Sequence, residues 1–75
     1  MSHPTAHLLL QVDPGRADEV AAFVGELPAV TTAAVTSGPY DVIATVDLTD
    51  ESLSHVLVLT KRAPGLSSLR VCRPA

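Results

Sequence analysis

Displaced by about 36 residues, the first half of this sequence lies on the second. Leu8, Leu10 and Val12 fall on Ala44, Val46 and Leu48, Val20 on Val56, and Phe23 on Leu59. Leu27-Pro28-Ala29-Val30 falls on Ala63-Pro64-Gly65-Leu66, Thr31-Thr32 on Ser67-Ser68, and Val35 on Val71. In a chain rich in Ala, Val and Leu, apolar coincidences arise easily. Two helix-stopping prolines at the same place in both halves do not. The chain therefore reads as two copies of one small unit, and few folds accommodate that.

Residues 6–12 alternate as a strand, with Ala6, Leu8, Leu10 and Val12 on one face and His7, Leu9 and Gln11 on the other. Asp13-Pro14-Gly15 breaks the strand. A helix is expected over about residues 16–27, because Val20, Phe23, Val24 and Leu27 keep the spacing of one buried stripe. Asp18 and Glu19 in its first turn suit the helix dipole, and Pro28 stops it. Residues 30–36 read as a second strand and residues 40–48 as a third, with Tyr40, Val42, Ala44, Val46 and Leu48 opposite Asp41, Ile43, Thr45 and Asp47. Thr49 or Asp50 is expected to cap a second helix, with Glu51 in its first turn. That helix runs to about residue 62, where Lys61 and Arg62 suit its end and Pro64-Gly65 stops it. Residues 66–73 make the last strand.

Strand, helix, strand, strand, helix, strand is the ferredoxin-like βαββαβ order of an α+β protein, with a four-stranded antiparallel sheet and both helices on one face. Residues 1–75 suffice for one domain with a modest core. The other sheet face is open and half-apolar, with Leu9 and Ile43 on the central strands among His7, Gln11 and Thr45. Val56-Leu57-Val58-Leu59 makes the second helix apolar nearly all round, more than one sheet contact requires. Both features predict partners. Oligomerisation is the remaining source of extra stability, because Cys72 is the single cysteine and no Cys/His spacing suggests a metal site.

Composition narrows the function. The net charge is −3, and Lys61, Arg62, Arg70 and Arg73 gather near the C-terminus without interleaved aromatics, so direct nucleic-acid binding is not expected. No export signal and no membrane-spanning run are present, and a lone cysteine suits the cytoplasm. No catalytic set and no cofactor site is expected. Cys72 reads as a half-buried small residue, with His7 as its one possible neighbour, from an adjacent strand. His3, His7 and His55 lack ligand spacing. Asp41 and Asp47 share a strand face but lie about 20 Å apart, too far for paired acid and base work. Asp13-Pro14-Gly15 lacks a phosphate-binding glycine pattern, and acids follow it at once.

The remaining chemistry sits between the second and third strands, in Val35-Thr36-Ser37-Gly38-Pro39-Tyr40-Asp41-Val42-Ile43-Ala44. A hydroxyl, bare backbone, a phenol and a carboxylate stand within a few residues. Residue types alone leave two readings open. Gly38 and Pro39 shape a turn, Asp41 accepts its N–H groups and Tyr40 fills the core edge; or the same groups hold the polar head of a small molecule.

At these residues the chain resembles the ligand-binding (RAM) domain of the Lrp/AsnC regulators, whose apolar strand, Gly-x-aromatic-Asp turn and second apolar strand match it. The likeness covers about residues 6–73. It implies a dimer packed sheet against sheet through the open face, often assembled further into octamers, with amino acids or related effectors bound where dimers meet. Carried across, Gly38 offers backbone N–H groups to an effector carboxylate, Asp41 attracts its ammonium group, Tyr40 shapes the pocket, and Thr36 or Ser37 adds a hydrogen bond. The helix-turn-helix domain that precedes this one in the family's regulators is not in the sequence. The chain therefore looks like the stand-alone form, a non-enzymatic sensor that acts through assembly with itself or with a full-length regulator. Two alternatives share the fold. An ACT-like module would bind amino acids near Gly15. A small dimeric monooxygenase or isomerase would need a cleft lined with His, Asn, Trp or Tyr, and this chain has no Trp, no Asn and one Tyr.

Overall fold

The computed structural model describes residues 4–73. The chain runs β1 (Thr5–Val12), α1 (Ala17–Gly25), β2 (Val30–Val35), β3 (Val42–Asp47), α2 (Leu53–Thr60) and β4 (Leu66–Cys72). The strands form one sheet in the order β2-β3-β1-β4, every neighbouring pair antiparallel. This is the expected ferredoxin-like arrangement, and its two halves share the centre: β1 and β3, equivalent in the repeat, lie side by side.

Alternation decides which face is covered. Ala6 lies opposite Val46, Leu8 opposite Ala44 and Leu10 opposite Val42, and all six are fully buried. Val20 and Val24 from α1 and Val56 from α2 join the same cluster, so both helices pack on this face. Phe23 and Leu27 are partly buried at its margin. The intervening residues form the open face. Across it run two cross-strand rows, Ala34, Ile43, Leu9 and Arg70, then Thr32, Thr45, His7 and Cys72. Ile43 is 36% exposed. On the helix layer Val56 is buried but Val58 is 53% exposed, so α2 presents apolar surface to both sides. Among the described residues Thr60 is the buried polar one, and its hydroxyl donates to the Val56 carbonyl at 2.8 Å, which satisfies it within the helix.

The ends of both helices differ from expectation. Ser52, not Thr49 or Asp50, caps α2: its Oγ accepts the His55 N–H at 3.2 Å. Thr49 lies three residues before that cap, where its N–H and its hydroxyl donate to Asp47 Oδ1 at 2.8 and 2.5 Å as β3 ends. Glu51 consequently precedes the helix, where its carboxylate pairs with His55 Nδ1 at 2.8 Å. Lys61 is the C-terminal cap residue, and Arg62 lies beyond the last turn. Helix α1 stops at Gly25, two residues short, and its start carries no side-chain cap. Arg16 stands there instead, with its Nε donating to Glu19 Oε2 at 2.5 Å. That bond and the Glu19 charge push the guanidinium further above its ordinary range. Strand β3 starts at Val42, leaving Tyr40 and Asp41 in the turn.

The two proline stops, alike in sequence, are not alike in structure. Ala29 is a buried core residue with ordinary backbone. Its counterpart Gly65 has φ +95°, and a Cβ there would lie 2.9 Å from Arg16 Cβ. Its carbonyl accepts the Asp13 N–H at 2.8 Å, tying the β1–α1 loop to the α2–β4 loop. Both backbone conformation and space demand glycine here. Gly65→Ala is therefore expected to destabilise the fold by about 1–3 kcal/mol, read as a lower midpoint in urea unfolding; an unchanged midpoint would show that the two loops can part without loss.

Candidate functional site

The β2–β3 turn is closed by Thr36. Its N–H donates to the Asp41 carbonyl and its hydroxyl to the Tyr40 carbonyl, each at 2.8 Å. Between them Ser37, Gly38 and Pro39 are exposed, while Thr36, Tyr40 and Asp41 are half-buried. Gly38 has φ +126° and open space where a Cβ would be, so it is required by conformation and not by crowding. The five residues singled out in the sequence thus share one loop.

Strand β1 holds this loop in place. The last paired residues of β1 and β3 are Leu10 and Val42. Beyond them the Asp41 N–H donates to the Leu10 carbonyl at 2.8 Å, and Asp41 Oδ2 accepts the Val12 N–H at 2.8 Å. The carboxylate continues the ladder past the point where backbone pairing ends. Gln11 adds a third bond, its Nε2 donating to the Pro39 carbonyl at 2.9 Å. Neither Gln11 nor Val12 was a candidate from sequence. Both lie nearly 30 positions from their partners, and no local pattern links them.

These bonds revise what each group has to offer. Thr36 spends its hydroxyl proton inside the turn, so toward a ligand it is an acceptor only. Asp41 commits Oδ2 to Val12, and an ionised carboxylate has about four lone-pair sites over its two oxygens, enough for a second partner. Turn chemistry and ligand chemistry are therefore compatible at Asp41. What the turn presents is a bare, exposed glycine backbone beside a carboxylate held rigidly by a neighbouring strand.

The other candidates are arranged differently. His7 and Cys72 are cross-strand partners on the open face. His7 Nδ1 shares a 3.2 Å hydrogen bond with Thr45 Oγ1, so a hydroxyl, not a carboxylate, orients the ring. Cys72 is exposed rather than half-buried, because β4 is an edge strand and the thiol faces the uncovered side. His55 lies on the surface of α2 with Glu51, and His3 lies outside the described residues. At the far end of β3 from the turn, a cleft of about 260 Å³ is lined by Pro28, Ala29, Asp47, Asp50 and Glu51. Sequence reasoning missed it, because its walls come from both halves of the repeat. Among the described residues, no cluster of three or more His, Cys, Asp or Glu could hold a metal ion, and no helix is long and apolar enough to cross a membrane.

The family model for the Lrp/AsnC ligand binding domain matches residues 5–72. No curated protein sequence matches the chain. Among solved structures, a protein from Thermus thermophilus has a TM-score of 0.79 at 22% identity, over 96% of this chain and 92% of that one. AsnC from E. coli has a TM-score of 0.79 at 20% identity, over 89% of this chain and 47% of AsnC. A transcriptional regulator from Neisseria meningitidis, solved in complex with L-Met, has a TM-score of 0.75 at 18% identity, over 96% of this chain and 49% of that one. The chain spans about half the length of the latter two, and at these identities the likenesses show the fold.

The Asp41 carboxylate predicts a stability pattern. Asp41→Ala leaves the half-buried Val12 N–H without its acceptor and is expected to cost about 1–3 kcal/mol. Asp41→Asn keeps an acceptor oxygen in place and should cost clearly less. Urea unfolding of the two variants separates them; equal losses would mean that the oxygen retained by asparagine does not replace the carboxylate as acceptor for Val12.

Proposed function

We propose, for a chain that belongs to the Lrp/AsnC ligand-binding-domain family, that the β2–β3 turn binds an amino acid or a related small effector and that binding is reported through assembly. Family membership makes it a regulatory effector-binding domain, and the transcription regulators AsnC and the Neisseria protein share its fold. The amino-acid response and the assembly are our own reading, as is a binding module in place of an enzyme.

The observation that carries the reading is the pairing of Gly38 and Asp41. An amino acid presents a carboxylate and an ammonium group a few ångströms apart. Exposed backbone around Gly38 suits the carboxylate, and the remaining capacity of Asp41 suits the ammonium group. Thr36 Oγ1, reduced to an acceptor, also suits the ammonium side. Tyr40 is half-buried beside them and supplies a wall. The Neisseria relative's complex with L-Met supports this ligand class. The ACT-like alternative is less well served: the β1–α1 loop that carries Gly15 is bonded to the α2–β4 loop, with Arg16 packed against Gly65.

Assembly follows from what the fold leaves uncovered. Leu9 and Ile43 lie at the centre of the open face, where a second copy packs sheet on sheet. The turn is exposed, so a bound effector is enclosed only when another dimer covers it, and the apolar outer side of α2 gives that higher assembly, up to an octamer, a further contact. The partner is this chain itself or a full-length regulator carrying the same domain.

Isothermal titration calorimetry against each of the twenty amino acids tests the reading. At least one is expected to bind the wild type. Asp41→Asn should weaken that binding about tenfold or more, the worth of a charged hydrogen bond, while leaving the fold intact. Absence of heat with all twenty, or full affinity in Asp41→Asn, contradicts it.

A further inference from the structure

Three successive residues of β1 hold the effector turn: Leu10 through its carbonyl, Val12 through its N–H, and Gln11 between them through its side chain. Only Gln11 does so from the open face. It continues the row of His7 and Leu9 along β1, and its cross-strand partner there is Ser68. The same amide that lies on this face donates to the Pro39 carbonyl at 2.9 Å. Pro39 has no N–H of its own. Because the peptide unit is planar and trans, a carbonyl held toward Gln11 turns the Tyr40 N–H the opposite way. Gln11 thus sets the orientation of the peptide unit between Gly38 and Asp41, the two groups assigned to the effector.

We propose that Gln11 is the positioning residue that couples the effector turn to the open sheet face. The inference rests on the reading of the turn as an effector site and of the open face as the contact between copies. An effector that draws on the Pro39–Tyr40 peptide changes the bond to Gln11, and a second copy on the open face changes the freedom of the same amide. One side chain thereby takes part in both equilibria, and linkage requires the effect to be reciprocal. The bond is neutral and exposed, so its influence is modest: a net hydrogen bond corresponds to about a two- to tenfold change in an equilibrium constant.

The test compares self-association constants, from sedimentation velocity, with and without an equimolar mixture of the twenty amino acids. Three proteins are used: wild type; Gln11→Met, of similar length without a donor; and Gln11→Lys, which restores one. Each ratio is internal to one variant, so changes in intrinsic association or stability cancel. The wild-type ratio is expected to differ from one, the Met variant's to lie about threefold or more closer to one, and the Lys variant's to return toward wild type. A Met ratio equal to that of wild type overturns the coupling and leaves the effector reading standing. A wild-type ratio of one, with no heat from any amino acid, removes the effector reading and the coupling with it.

Discussion

The structure depends on the register between β1 and β3. With Leu8 opposite Ala44 and Leu10 opposite Val42, the two central strands turn the same alternate residues toward the helices. A slip of β1 by one residue would exchange its two faces, turning His7 and Gln11 toward the helices and Leu8 and Leu10 away from them. The same register decides where pairing runs out. It ends at Leu10 and Val42, which places Asp41 level with the last residues of β1 and lets its carboxylate accept the Val12 N–H. Core, open face and candidate site are consequences of one pairing.

Much of this was legible because it is periodic. Alternation along β1 and β3 identified both buried faces, and the repeated proline stops marked two equivalent halves that pair at the centre. The failures occur where several residues compete for one role. Thr49, Asp50 and Ser52 all suit a helix cap, and the helix starts late enough that Ser52 takes it, while Thr49 bonds to Asp47 at the end of β3. The repeat also concealed a difference: position 29 is an ordinary core alanine, while position 65 needs glycine for its backbone and for the approach of Arg16. Cys72 could not be placed from composition, since its exposure follows from β4 being an edge strand.

The candidate site shows the same division. Its residues were visible as an odd concentration of functional groups in one turn. Its supports were not, because Gln11 and Val12 reach it from another strand. Those supports change the chemistry as well as the position: Thr36 becomes an acceptor, and Asp41 acts as both a structural and a free carboxylate. Turn chemistry and the proposed binding site, competing explanations in the sequence, are compatible in the fold, because Asp41 keeps acceptor capacity beyond its bond to Val12. A rigid turn loses little freedom on binding, which favours a small ligand that contributes few contacts.

The central claim is that an amino acid is held at the Gly38–Asp41 turn, and a crystal structure grown with a mixture of the twenty amino acids tests it most directly. The account predicts density for a bound amino acid against Gly38 and Asp41, enclosed by a neighbouring copy. Density against Gly15 at the β1–α1 loop, with the turn empty, would contradict it.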